Sequence, residues 1–106
     1  MQDLLEVVES DGLVVNSLEQ SVWYKDREIL LTNREFQVLY LLLRYQGQVL
    51  SKMQIYEQVT GDGERVDYHT VEITISRVRK KLEIYTGRKD FISTIRGRGY
   101  KFKKSI

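Results

Sequence analysis

Short apolar and polar stretches alternate with a period near two through the first third of the chain, and then the period lengthens. Residues 4–9, 13–15, 21–24 and 28–31 read as strands, with Asp11-Gly12, Asn16-Ser17 and Lys25-Asp26 as the turns between them. They predict a small antiparallel sheet of up to four strands. At "TNRE", Thr32 to Glu35, the pattern takes capping-box form, in which the Thr32 hydroxyl accepts from the Glu35 amide and the Glu35 carboxylate reaches back to the Thr32 amide. A helix over residues 33–45 follows, stopped near Gly47. Phe36, Leu39, Tyr40 and Leu43 form one stripe and Val38, Leu41 and Leu42 lie round the other side, so most of its circumference is expected to be buried. A second cap, "SKMQ" from Ser51 to Gln54, starts a shorter helix to about Val59, ended by Gly61. The polar stretch "TGDGERVD" is then a loop, either a plain connector or a contact surface.

A third helix is predicted over residues 68–85, with Asp67 as its N-cap. At about 100° per residue, Val71, Ile75, Val78 and Leu82 fall within one narrow stripe and face the core. The opposite face carries His69, Ile73, Ser76 and Lys80, with Arg77 and Lys81 on its flank. Ile73 stands out there. Together with Thr74, these side chains make a mixture of phosphate donors, base-edge donors and one apolar knob of the size that meets a thymine methyl. The chain closes on "STIRGRGYKF", which reads as a hairpin. Ile92, Thr94 and Ile95 favour an extended strand, Gly97 and Gly99 mark the reversal, and Tyr100 and Phe102 alternate with Lys101 and Lys103 on the return. This alternation places Tyr100 and Phe102 in the core, and Trp23 and Tyr24 are read the same way.

Charge sharpens the picture, because the small net charge of +2 conceals a polarity. Residues 1–66 carry six Lys and Arg against eleven Asp and Glu, net −5, whereas residues 67–106 carry eleven against four, net +7. The positive charge sits inside the patterned third helix and hairpin, as expected of a face turned toward a polyanion. The 106 residues suffice for one domain with its own core. With no cysteine and one histidine, disulfides, thiolate metal sites and ordinary zinc sites are excluded, and the scattered acidic residues suggest no metal site or acid/base pair. No nucleophile with a base and no phosphate-cradling loop is present, so neither an enzyme nor a cofactor is expected. The apolar run over residues 38–43 is far too short to span a bilayer, and the acidic N-terminus lacks a secretory signal. A cytoplasmic protein is the expectation.

Sheet, helix, helix, loop, basic helix, basic hairpin is the element order of an α+β winged helix-turn-helix. A helix in the major groove reads base edges with a few side chains while Lys and Arg on phosphates supply most of the affinity. A narrow A·T-rich minor groove attracts inserted arginine, which gives Arg96 or Arg98 at the hairpin tip a destination.

"LTNREFQVLYLLL", "VDYHTVEITISRVRKKLE" and "ISTIRGRGYKF" resemble, in order and spacing, the effector domain of the OmpR/PhoB family of bacterial response regulators, over about residues 11–102. The resemblance implies a four-stranded N-terminal antiparallel sheet, three helices and a C-terminal wing. It also implies the output function of a two-component system, which is regulation of transcription by sequence-specific binding to double-stranded DNA. The helix from about residue 68 is then the recognition helix, and the loop with Gly61, Asp62, Gly63, Glu64 and Arg65 corresponds to the segment that contacts RNA polymerase in some members. Ile73 stands at a valine that touches a base methyl, and Arg77 at a major-groove arginine. Ser76 occupies a neighbouring position that is arginine in some members, a departure expected to alter sequence preference. Thr94 matches a wing threonine placed for phosphate, and Arg96 a wing arginine placed for the minor groove. Arg98 falls at a variable tip position, as a phosphate contact or a free surface charge.

Family members bind direct repeats, which is therefore expected of this chain. The domain is expected to span residues 1–106, with a linker remnant in residues 1–10. The receiver domain that the family places upstream is absent from this sequence, consistent with an excised effector domain or with a regulator that lacks phosphorylation control. The competing reading is a winged-helix protein-interaction module without DNA binding, against which the basic face around Ile73 argues.

Overall fold

The computed structural model describes residues 7–59 and 67–104. The chain opens with a four-stranded antiparallel meander, β1 (Val7–Ser10), β2 (Leu13–Asn16), β3 (Ser21–Tyr24) and β4 (Arg27–Glu28), in the order β1-β2-β3-β4. Asp11 and Gly12 at the first turn both have positive φ, 56° and 90°, which is the backbone an Asp-Gly pair adopts at least cost in a two-residue hairpin. Register places Leu13 opposite Tyr24 and Val15 opposite Val22. Leu13, Val15 and Val22 are buried, so this face of the sheet meets the helices. Trp23 lies on the other face, partly exposed, and does not join the core. The fourth strand is shorter than its apolar pattern suggests: the last bond to β3 runs from the Ile29 amide to the Val22 carbonyl at 2.8 Å, and the Ile29 side chain is buried in the core.

Helix α1 (Asn33–Arg44) begins at the expected capping box. The Glu35 amide donates to Thr32 Oγ1 at 3.2 Å and the Thr32 amide to Glu35 Oε1 at 2.9 Å. Its apolar residues are buried almost all round, including Phe36, Val38, Leu39, Leu42 and Leu43. After α1 comes a strand that sequence patterning does not reveal, β5 (Val49–Leu50), and then α2 (Lys52–Val59). Helix α3 (Tyr68–Thr86) is capped by Asp67, whose carboxylate accepts from the Thr70 amide at 2.9 Å, and ends at left-handed Gly87. Val71, Ile75, Val78 and Leu82 all turn inward.

The C-terminal strands β6 (Ile92–Ile95) and β7 (Gly99–Phe102) form the hairpin, and β5 joins it in a second sheet of order β5-β7-β6. The two hairpin glycines have different tasks. Gly97, with φ 75° and open space around it, supplies the reversal, where the Arg98 amide donates to the Ile95 carbonyl at 2.9 Å. Gly99 supplies proximity: a Cβ there would lie 2.0 Å from the Leu50 carbonyl oxygen, so only glycine lets β7 reach β5. Tyr100 and Phe102 are buried as expected, with Phe102 against Phe91. The predicted strand over residues 4–6, the Gly61 helix stop and the loop of Gly61, Asp62, Gly63, Glu64 and Arg65 lie outside the described residues.

Candidate nucleic-acid interface

Helix α3 and the wing lie side by side across a groove of about 530 Å³, bounded by Tyr68 and Glu72 of α3, Lys52 of α2, and the hairpin from Thr94 to Tyr100. On the solvent face of α3, Ser76, Arg77 and Lys80 are exposed around a half-buried Ile73. Across the groove Arg96 and Arg98 are exposed on either side of Gly97. Seven of the eleven cations in residues 67–106, Arg77, Arg79, Lys80, Arg96, Arg98, Lys101 and Lys104, carry no ion pair among the described residues.

Two residues expected on this face are elsewhere. Thr74 is buried and its hydroxyl donates to the Thr70 carbonyl at 2.7 Å, an internal helix bond. It falls about 40° from Val78 around the helix, inside a core face wider than the four-residue stripe. Lys81 is turned across to α1, where its Nζ donates to Glu35 Oε1 at 2.7 Å and to the Leu30 carbonyl at 3.3 Å. Burial pushes the Glu35 carboxyl up, but the hydrogen bonds from Lys81 and from the Thr32 amide outweigh it and leave the group below its ordinary value. The capping-box glutamate of α1 is thus also the anchor of α3, a role its local sequence does not disclose.

Arg79 was not among the expected site residues. Its Nη1 donates to Thr94 Oγ1 at 3.0 Å and to the Ile92 carbonyl at 3.3 Å, and its guanidinium stands 5.7 Å from the Tyr100 ring centroid. One side chain of α3 therefore holds the strand that carries the wing tip. Thr94 accepts from Arg79 while its own hydroxyl hydrogen is left for another acceptor.

The remaining cations are spoken for. Arg88 bridges Asp11 Oδ2 at 2.7 Å and Asp90 Oδ1 at 3.0 Å, and Lys103 reaches the same two carboxylates at 3.4 and 3.1 Å. Hydrogen bonds from Arg88 and then Lys103 hold Asp90 far below the usual carboxylate range, and the same pair lowers Asp11. The cluster ties the first hairpin turn to the base of the wing. Lys89 lies 3.7 Å from Glu83. No group of His, Asp or Glu that could hold a metal occurs among the described residues, and no described helix is long and apolar enough to cross a membrane.

With this geometry in view, the chain matches the family model described as "Transcriptional regulatory protein, C terminal" over residues 26–102. It is 37% identical over 101 residues to the response regulator SaeR of Staphylococcus epidermidis, an alignment that covers 95% of this chain and 44% of that protein. The chain thus spans less than half the length of such relatives. Among solved structures it is similar to the DNA-binding domain of CpxR from E. coli, with a TM-score of 0.79 and 34% identity over 94% of this chain and 98% of that one. It is also similar to the response regulator DrrB of Thermotoga maritima, an OmpR/PhoB homologue, with a TM-score of 0.79 and 27% identity over 93% of this chain and 45% of that one.

Proposed function

Because the chain belongs to the OmpR/PhoB family, we propose that it is the DNA-binding output domain of a response regulator, which docks α3 in a major groove and the wing in the adjacent minor groove. The observation that carries this reading is that the exposed cations of α3 and the wing have no ion pair among the described residues. Acidic partners neutralise Lys81, Arg88, Lys89 and Lys103, while Arg96 and Arg98 line the groove between helix and wing and Arg77 and Lys80 are exposed on α3, all four without an acidic partner among the described residues. A protein that used its charge only for solubility has no reason to sort it this way.

Within that face the roles divide by chemistry. Arg77 presents a fork suited to guanine O6 and N7, Ser76 a short hydroxyl, and Ile73 an apolar edge for a thymine methyl. Lys80, Thr94 and Arg98 serve phosphates, and Arg96 serves the minor groove. Two copies on direct repeats about 10 to 11 bp apart would lie on one face of the duplex. Residues 61–65 are proposed to contact RNA polymerase, and the regulator is proposed to act in the cytoplasm.

Fluorescence anisotropy against duplex DNA over a range of salt tests the reading. With four to six of the unpaired cations on phosphate, log K against log[salt] falls with slope about −4 to −6, at about 0.9 per contact. A slope near zero would instead favour a protein-interaction module. Selection of bound sequences from a random duplex pool then returns the target motif.

A further inference from the structure

The groove between α3 and the wing contains one charge of the wrong sign for its proposed occupant. Glu72 projects from α3 about 40° round the helix from Ser76, on the side that faces Thr94, Arg96 and Arg98. Its side chain is 42% exposed, so the carboxylate is open to the groove and a phosphodiester strand passing through would come close to it. Hydrogen bonding and Coulombic attraction from Lys52, with a smaller contribution from His69, lower its pKa, so the group is an anion at neutral pH. Every such anion at a DNA-facing surface repels the backbone unless something compensates it.

That compensation comes from a different helix. Lys52, in the first turn of α2, donates its Nζ to Glu72 Oε2, and His69 Nδ1 lies 3.5 Å from the other carboxylate oxygen. We propose that Lys52 is a further DNA-interface residue whose task is to screen Glu72, so that the strand passing between recognition helix and wing meets a neutral pair where it would otherwise meet a carboxylate. The proposal rests on the DNA-binding reading above. It assigns Lys52 a role that is electrostatic and independent of sequence, since neither Lys52 nor Glu72 needs to touch a base.

The arrangement predicts a specific pattern of couplings, measured as affinity for a random-sequence duplex at low salt. Lys52→Ala bares Glu72 and weakens binding about three- to tenfold. Glu72→Gln removes the anion and leaves binding equal to wild type or tighter. The double variant returns to within about twofold of wild type, because with no anion there is nothing to screen. Lys52→Arg keeps the charge and keeps the affinity. Net charge alone would give part of this pattern, so the control is Lys89→Ala, which removes one positive charge beyond the C-cap of α3 and outside the groove. It leaves affinity essentially unchanged. Melting curves for each variant establish that the fold is intact.

Three results overturn the screening role: unchanged binding by Lys52→Ala, weaker binding by Glu72→Gln, or a loss in Lys52→Ala that the double variant retains. A loss in Lys89→Ala equal to that in Lys52→Ala overturns it as well, since the effect would then be one of total charge. Should the wild-type chain bind no duplex at all, the DNA-binding reading fails and takes this proposal with it. Wild-type binding with any of the preceding results removes the screening role alone.

Discussion

Arg79 of α3 and Thr94 of β6 are joined by a 3.0 Å hydrogen bond from guanidinium to hydroxyl oxygen, and through it α3 sets the position of the wing. Because the same guanidinium also holds the Ile92 carbonyl and lies beside the Tyr100 ring, Arg79→Ala releases three restraints on β6 and β7 at once. If the wing tip must be held in place for Arg96 to act, the two arginines are energetically coupled. Anisotropy on Arg79→Ala, Arg96→Ala and the double variant should then show losses that fall short of additivity by about 0.5 to 3 kcal/mol. Strict additivity would mean the wing finds its place without Arg79.

Within the face of α3, the proposed base-reading and phosphate-binding roles are separable by experiment. Arg77→Ala is expected to cost about 1 to 3 kcal/mol on the best site and to flatten preference at one base position. Lys80→Ala should weaken all sequences alike and reduce the salt slope by about 1. Ile73→Ala should lower the preference for thymine over uracil at a single position. A position-by-position exchange of thymine for deoxyuridine on the wild-type protein checks the last point, and no change anywhere would remove the methyl contact.

Acid should unfold this domain through its carboxylates. Glu35, Asp11, Asp67, Glu72 and Asp90 all have folded-state values below their ordinary ones. A depressed carboxyl contributes stability that is fully present above its unfolded value near 4 and is lost as pH falls through the lower folded value. Thermal stability is therefore expected to be flat from about pH 7 to 5 and to drop steeply below about pH 4. Lys81→Ala, which strips the buried Glu35 carboxylate of its cation, should cost about 1 to 2 kcal/mol at neutral pH, with Lys81 itself part-exposed. The deficit should shrink in acid as Glu35 protonates. Melting curves for both proteins against pH measure it.

How far these features were legible in the sequence depends on whether they are local. The three helices were, because each begins with a side chain that reaches its own first turn: Thr32 and Glu35, Ser51 and Gln54, Asp67 and Thr70. The core stripe of α3 and the aromatic return of the wing follow from periodicity alone. What escaped were partnerships across the fold. Lys81 meets Glu35 over 46 residues and Arg88 meets Asp11 over 77, and helical phase gives the direction of a side chain but not what awaits it. Strand β5 escaped because two residues carry no period, and its existence depends on a glycine half a chain away. Thr74 was misplaced since the core of α3 is broader than its apolar residues advertise.

The tip of the wing poses the sharpest test. Arg96 directly follows strand β6 and precedes the left-handed Gly97, so its Cα is fixed by the ladder that pairs Ile95 with Gly99. Arg98 lies within the loop itself, between Gly97 and Gly99, with only its amide held by the Ile95 carbonyl. Both guanidinium groups are exposed, so exposure does not separate them; the difference is that Arg96 projects from a residue at the strand end and Arg98 from the turn. Inserting a long side chain into a groove costs less entropy when its backbone is already ordered. A narrow A·T-rich minor groove concentrates negative potential, so the residue that enters it should sense the composition of the flank, whereas a phosphate contact should not. Arg96→Ala is accordingly expected to lose more affinity on a site with an A·T-rich flank than on the same site with a G·C-rich flank, and Arg98→Ala to lose a smaller amount that is equal on both. Binding of the two variants to the two duplexes decides the matter. If Arg96→Ala shows no flank dependence, or Arg98→Ala shows the larger one, Arg96 is not the groove reader and the wing acts only by neutralising phosphate.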